Sequence, residues 1–254
     1  MNKEKPQTGE IYHIYIRGVE GRKIFPEESY YTRYLSILDH YLNYKYPFSL
    51  LKERLEKAKT AKTRNLIFAE LEDKKMDTPE VKLICFCLMP THPHLTAKQL
   101  KSNGISNLMH RINTSYTNYF NIRNERTGRL FESSYRLKKV ESDDQLLHLT
   151  RYQHINPRSL GFETAKKLLN YPWSSLSTYL GDNKYNFVEP EIVLNQFSNP
   201  DKYLKFVMAE IDEYEPLRLE GVAIDDDFGW FSKFRRLKNE RKKELREFFL
   251  KSAS

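Results

Sequence analysis

Two kinds of apolar run predict the strands of this chain. Residues 11–16 are rich in β-branched and aromatic residues and predict a first strand. Residues 81–89 form a continuous apolar run of strand length, and residues 95–97 extend it after a short polar break. The pattern therefore predicts central strands on both sides of the histidines at positions 92 and 94.

Apolar residues recur at helical spacing between and after these strands. Tyr31, Leu35, Leu38 and Leu42 follow this spacing after Pro26, and Ser142 is a suitable N-cap for a later helix. Helices are predicted over residues 26–43, 106–121 and 142–155, and a short one from Pro172 through Tyr179.

The region after the first helix is less regular. Residues 47–50 are expected to start a second strand. The charged stretch Lys52 to Lys75 carries leucines spaced as on an amphipathic helix, so it predicts a helical excursion between strands.

The order strand, helix, strands, helix predicts an α+β fold. Helices on one face of a central antiparallel sheet give a ferredoxin-like or RRM-like palm. The Gly181-Asp182-Asn183 sequence is a plausible boundary. We expect one domain over residues 1–181 with a helical insertion at about 51–80, and a helical C-terminal extension over 182–254 that ends in a basic helix at 233–250.

Charge narrows the class of partner. The 254 residues include 42 Lys and Arg against 34 Asp and Glu, a net charge of +8, so a polyanion such as nucleic acid is the expected partner. The 17 tyrosines can pack a core or stack on bases. Cys85 and Cys87 are expected to be reduced core residues. The N-terminus has no apolar signal region and no stretch has the length of a membrane span, so we expect a cytoplasmic protein.

Two short segments carry the candidate chemistry. In a strand, His92 and His94 point to one face while Pro93 takes the other, so two imidazoles can hold one divalent cation. On a helix, Tyr152 and Asn156 lie one turn apart on the same face, so a phenol and an amide oxygen can approach the same point. Together the segments predict a metal site beside a tyrosine nucleophile.

Five ordered segments resemble a known family. Residues 87–95 (CLMPTHPHL) are similar to the His-hydrophobic-His motif of the single-tyrosine HUH transposases, the IS200-like family. Supporting segments at 15–19, 127–131, 151–157 and 171–175 resemble its REP-associated tyrosine transposase branch, so the resemblance extends over roughly residues 8–181. Pro93 stands where the family usually has an aliphatic residue, and Thr91 where it usually has Asn.

The resemblance implies both a fold and an activity. It implies an HUH endonuclease palm in which His92, His94 and Asn156 bind a divalent metal, Mg²⁺ or Mn²⁺, and Tyr152 is the nucleophile. The implied enzyme nicks and joins single-stranded DNA at or near repeat hairpins through a 5′-phosphotyrosine intermediate. We favour a monomer acting in cis, with a dimer as the other state known in the wider family.

A set of cationic residues is expected to contact DNA phosphates. It comprises Arg17, Arg22, Lys23, Arg129, Arg136, Lys138 and Lys139.

Other interpretations stay open at this point. The chain could be a catalytically silent nucleic-acid-binding protein that keeps an RRM-like sheet, or a zinc-dependent hydrolase that uses the histidine pair. Tyr152 could be an ordinary core aromatic and Asn156 a helix cap, and Tyr116 and Tyr119 are rival nucleophiles on the preceding helix.

Overall fold

Four strands form one antiparallel sheet in the computed structural model, which describes residues 5–209 and Leu219. The strands lie in the order β2-β3-β1-β4, with β3 paired to both β2 and β1. Their bounds are β1 Ile11–Tyr15, β2 Val81–Met89, β3 His92–Gln99 and β4 Arg136–Lys139.

Helices fill the connections between the strands. The described helices are α1 Glu28–Asn43, α2 Phe48–Lys57, α3 Ala61–Glu72, α4 Gly104–Arg123, α5 Asp143–Ile155, α6 Ala165–Leu169, α7 Leu176–Tyr179, α8 Glu191–Leu194 and α9 Pro200–Met208. The path β1-α1-β2-β3-α4-β4 combined with the observed strand order is the ferredoxin-like topology. The predicted fold class is therefore confirmed.

Helices α1 and α4 pack together over one face of the sheet, and that face is apolar. Tyr34 and Leu38 from α1, and Ile112 and Tyr116 from α4, are fully buried in the same core as Leu95 of β3. Burying each such side chain contributes about 1.5 to 3 kcal/mol. This face of the sheet is therefore covered by the two helices and forms part of the hydrophobic core.

Helix α5 contacts β2 and carries Tyr152. The Ser142 hydroxyl accepts a hydrogen bond from the Gln145 N–H, and two aspartates follow in the first turn, where they favour the positive end of the helix dipole. The helix ends at Ile155, directly before Asn156 and Pro157, which begin a 3₁₀ turn. The predicted cap at Ser142 is thus present.

Residues 173–175 pair along the outer side of β2. The Leu88 N–H donates to the Trp173 carbonyl at 2.8 Å, and the Ser175 N–H donates to the Phe86 carbonyl at 3.0 Å. These bonds cover an edge that would otherwise expose unpaired backbone groups. Strand β3, which carries both histidines, is an inner strand because it pairs with both β2 and β1.

The short strand predicted at residues 47–50 is wrong. The segment belongs to α2, because Phe48 and Leu51 lie three residues apart and are both buried on one side of a helix. The stretch Lys52 to Lys75 is helical as expected, and α2 and α3 share a small core of Leu51, Ala58 and Ile67.

No helix among residues 5–209 is long and apolar enough to cross a membrane. The basic helix expected over residues 233–250 lies outside the described residues.

Candidate active site

Strand β3 places His92 and His94 on one face of the sheet, as the alternation predicts. Their ring centroids are 4.7 Å apart, and the ring planes are almost perpendicular at 86°. Both side chains are buried, with 2% and 0% of their surface exposed. Two imidazoles therefore lie side by side away from bulk water.

Pro93 does not disturb this arrangement. It lies opposite Leu88 of β2, whose N–H bonds to the Trp173 carbonyl outside the sheet instead of to β3. The pair is therefore of the non-hydrogen-bonded kind, and the β2–β3 ladder loses no bond to a residue without an N–H.

Each histidine has its Nδ1 atom engaged by a neighbour. His94 Nδ1 lies 3.0 Å from His13 Nε2, a contact between β3 and β1. His92 Nδ1 lies 2.7 Å from the hydroxyl of Thr91. Coordination of a cation by either ring would therefore use the Nε2 atom.

Tyr152 of α5 lies against His94. The two rings meet edge to face, with centroids 5.9 Å apart, and the tyrosine is 1% exposed. Tyr15 packs on both histidines, with its ring centroid 5.1 Å from that of His92 and 5.2 Å from that of His94. One chain therefore brings Tyr152 and the two histidines together.

Asn156 follows at the end of α5, and its amide is buried without a partner. Among the described residues, neither its oxygen nor its nitrogen has a hydrogen-bond partner, although the residue is 0% exposed. Gln153, three residues earlier and thus on a neighbouring part of the helix surface, has the same property. A buried polar group in this state costs about 1 to 3 kcal/mol, so it indicates a place for water or a ligand.

These residues fit a divalent metal. Two imidazole nitrogens and the amide oxygen of Asn156 are suitable donors, and the amide has no competing hydrogen bond. Within residues 5–209, no group of three or more His, Cys, Asp or Glu side chains could hold a metal. A site here therefore depends on Asn156 as its third protein donor. We group Asn156, which lies one helical turn after Tyr152, with the contacting residues His13, His92, His94 and Tyr152 and call these five residues the His94 cluster.

A second buried histidine on α5 has a different environment. His154 Nδ1 lies 2.7 Å from the Tyr203 hydroxyl, and its Nε2 lies 2.9 Å from the Ser175 hydroxyl and 3.3 Å from Cys85 Sγ. Burial lowers the pKa of His154 to about 3, so the ring is neutral at pH 7. We call these four residues the His154 cluster. With both nitrogens engaged, His154 is a poor acceptor for the Tyr152 proton.

The rival tyrosines lie among the helices on the opposite face. The Tyr116 hydroxyl donates to the Ile24 carbonyl at 2.6 Å, and the Tyr119 hydroxyl accepts from Arg123 at 2.9 Å. Burial also raises the pKa of Tyr116 far above its usual value of 10. Neither residue belongs to the His94 cluster.

Two cationic residues of β4 share the face of the histidines. Arg136 lies opposite Tyr15, which lies opposite His94, and Lys138 lies opposite His13. Both β4 residues are exposed at the edge of the sheet. Phosphates of a polyanion could therefore contact these two side chains beside the His94 cluster.

Most of the other predicted DNA contacts lie on loops next to His92. The Gly18 N–H donates to the Thr91 carbonyl at 2.9 Å, and the Val19 N–H donates to the Leu130 carbonyl at 2.9 Å. These bonds hold the loops with Arg17, Arg22, Lys23 and Arg129 at the start of β3. Lys139 differs, because it points to the other face and pairs with Glu10 at 3.2 Å.

The sequence reasoning missed His13 and Gln153, and it noted Thr91 only as a departure from the family motif. His13 carried one signal, since it is a histidine inside an otherwise apolar strand and is 0% exposed in the fold. Its contact with His94 spans 81 residues and depends on the register between β1 and β3, which the pattern does not give.

Comparison with known proteins found one family model that is similar to part of the chain. The model of the family described as "Transposase IS200 like" matches residues 40–155, slightly less than half of the chain, and this range contains His92, His94 and Tyr152. Residues 40–155 are therefore similar to this family, and we call them the IS200-like segment. Strand β1, which carries His13, lies before the matched range, and Asn156 is the first residue after that range.

A solved structure described as "Structure of the REP associates tyrosine transposase bound to a REP hairpin" is similar to the chain with 12% identity and a TM-score of 0.44. The similarity covers 74% of this chain and 91% of the other. No curated protein matches the sequence.

Proposed function

We propose that the protein is a metal-dependent endonuclease and strand transferase for single-stranded DNA, of the REP-associated tyrosine transposase type, acting at or near repeat hairpins. The observation that carries the proposal is the position of Tyr152, whose ring lies 5.9 Å from that of His94 inside the IS200-like segment. A buried phenol beside two imidazoles and an unpartnered amide is a costly arrangement for packing alone.

In the proposed reaction, the Tyr152 oxygen attacks the scissile phosphorus. The bond between phosphorus and the 3′ oxygen breaks, the 3′ hydroxyl leaves with a proton, and the DNA remains joined to Tyr152 through its 5′ phosphate. Attack by a 3′ hydroxyl on this phosphotyrosine reverses the step and restores the tyrosine. No nucleotide cofactor is needed, because one phosphodiester is exchanged for another.

His92, His94 and Asn156 would hold the metal, Mg²⁺ or Mn²⁺. When bound, the ion would neutralise charge that develops on the phosphate and on the attacking and leaving oxygens. A free tyrosine has a pKa near 10, so its ionisation needs such assistance at neutral pH. His154 is unsuited to take the proton, because both its nitrogens are hydrogen bonded and burial keeps its pKa about 3.

The proposed protein acts in cis. One chain supplies Tyr152 and both histidines, so no second copy is needed to complete the His94 cluster. Tyr152 is 1% exposed, so the side chains that cover it must move before a phosphodiester can reach the phenol. DNA binding at Arg136, Lys138 and the loops beside His92 would supply the free energy for this opening.

The proposal is tested with labelled single-stranded hairpin DNA from the repeats of the source genome. Wild-type protein with Mn²⁺ or Mg²⁺ should give a covalent band on a denaturing gel when the label lies 3′ of the cut, and none when it lies 5′. Tyr152→Phe should abolish this band, whereas the matched variant Tyr119→Phe on α4 should keep it.

The failing outcomes separate the alternatives. Binding without an adduct across several hairpins and both metals would indicate a silent nucleic-acid-binding protein. Cleavage that persists in Tyr152→Phe without any adduct would indicate a metal-dependent hydrolase.

A further inference from the structure

A third histidine lies beside the two predicted ligands. His13 is on β1, fully buried, and its ring is nearly parallel to that of His94, with an angle of 19° and centroids 5.2 Å apart. Its Nε2 atom lies 3.0 Å from His94 Nδ1. At this distance the two nitrogens share one proton in a hydrogen bond, so they cannot both be bare.

The position of that proton decides what His94 can do. If His13 donates, a neutral His94 carries its own proton on Nε2 and cannot bind a cation there. If His94 donates from Nδ1, its Nε2 has a lone pair available for a cation, and His13 Nε2 is the acceptor. Only the second arrangement is compatible with His94 as a ligand.

A neutral imidazole suits this buried acceptor position. A carboxylate would bring a net charge into a site that is shielded from water, at a high desolvation cost. His13 offers an acceptor without that charge, and its ring packs on His94 at the same time. Outer partners of this kind orient a ligating histidine and fix its tautomer.

We propose that His13 is a positioning residue of the metal site, which accepts the Nδ1 proton of His94 and thereby keeps His94 Nε2 ready to bind the cation. The inference rests on the proposed function, because it takes His94 as a ligand. It extends the site to β1, outside the IS200-like segment.

The test compares two replacements of His13. His13→Gln keeps an acceptor oxygen at about the reach of Nε2, whereas His13→Leu removes it. Tyr12→Phe is the matched control. Tyr12 directly precedes His13 on β1 and lies on the opposite face of the sheet, and the substitution deletes a hydroxyl that accepts a hydrogen bond from the Gln7 N–H. His13→Asn, polar but too short to reach His94, takes the place of His13→Leu if that variant fails to fold.

Two readouts are measured on the full chain, with thermal melting as a check on folding. The first is the tautomer of His94 in metal-free protein, obtained from ¹⁵N–¹H multiple-bond correlation spectra assigned with His94→Gln. The second is the Mn²⁺ dissociation constant. We expect the Nδ1–H tautomer in wild type and in His13→Gln, and a 10- to 100-fold weaker Mn²⁺ affinity in His13→Leu, the usual effect of losing such a partner. His13→Gln and Tyr12→Phe should bind within about threefold of wild type, because both keep the acceptor.

Two results would overturn the inference: an Nε2–H tautomer of His94 in wild type, or Mn²⁺ affinity in folded His13→Leu or His13→Asn equal to that of wild type. Failure of the proposed function looks different. In that case wild type itself would not bind Mn²⁺, while the tautomer measurement would still decide the role of His13.

Discussion

Helix α5 contributes residues to two buried clusters, the His154 cluster and the His94 cluster. The two clusters differ in the hydrogen bonding of their polar atoms. In the His154 cluster, both ring nitrogens of His154 meet hydroxyl groups at 2.7 and 2.9 Å. In the His94 cluster, neither amide atom of Asn156 has a hydrogen-bond partner within residues 5–209. Satisfied polar groups stabilise a fold, whereas buried groups without partners cost stability.

The same comparison explains why residue type alone does not identify the site. His154 lies two residues from Tyr152, closer in sequence than His92 or His94, yet it belongs to the packing of β2, α9 and residue 175. Its environment gives it the chemistry of a core group. The amide of Asn156, which has no partner among the described residues, separates the two clusters, and the presence of histidine does not.

The largest expected effect is loss of metal binding in His94→Ala. The variant removes one of two imidazole donors, so its Mn²⁺ affinity should fall by more than about 100-fold, beyond the effect of losing an outer partner. The Mn²⁺ dissociation constant checks this. His154→Gln is the matched control and should bind Mn²⁺ as wild type does. Equal losses in both variants would remove the distinction between the clusters.

His154→Leu should instead destabilise the fold. The Tyr203 hydroxyl loses its bond to His154 in the core, and Ser175 loses one of its partners, so the free energy of unfolding at pH 7 should fall by about 2 kcal/mol. Urea denaturation measures the change. The exposed residue His110 gives the control, since His110→Leu should change stability by less than about 0.5 kcal/mol. A fully stable His154→Leu would contradict the structural role.

Lowering the pH should reduce the free energy of unfolding through His154. The pKa of His154 is about 3 in the folded chain and 6.5 when unperturbed, so between these values the unfolded state binds one more proton. Stability from this group is therefore complete above pH 6.5 and is lost as pH falls toward 3, by about 1.4 kcal/mol per unit within that window. Unfolding free energies measured across the window should show a shallower pH slope in His154→Gln. An unchanged slope would refute the assignment.

Asn156→Leu should have the smallest effect on stability, with the opposite sign. Because the amide has no partner, an apolar side chain of similar size should leave the metal-free protein as stable or more stable by about 1 kcal/mol, while Mn²⁺ affinity falls. Denaturation and metal titration test the two parts. Ser175→Ala, which removes a bonded hydroxyl, should be destabilising. A destabilised Asn156→Leu would show that Asn156 serves the fold.

The sequence predicted the fold because the periodicities are clear and the topology has few alternatives. The apolar run over residues 81–89 and the capped helix after Ser142 each gave a strong local signal. The strand expected at residues 47–50 failed because four residues cannot separate a strand from the first turn of a helix. Burial of Phe48 and Leu51 on one side decided that segment.

The sequence indicated the residues of the candidate site but not the contacts between them. Strand alternation placed His92 and His94 on one face, and helix spacing placed Tyr152 and Asn156 on one face, whereas their expected roles came from the family resemblance. The contact of His13 with His94 required the register of two strands 81 residues apart. The hydrogen bonding of buried amides was also not predictable, because the sequence does not show which of them has a partner.

Tyr152 is the proposed site of covalent attachment to DNA, and peptide mapping tests this attachment most directly. Wild-type protein is incubated with Mn²⁺ and a single-stranded hairpin substrate, trapped by denaturation, digested with nuclease and protease, and analysed by mass spectrometry. We predict a nucleotide attached through its 5′ phosphate to the peptide that contains Tyr152. Attachment to another tyrosine such as Tyr116 or Tyr119, or cut DNA with no modified peptide, would contradict the account.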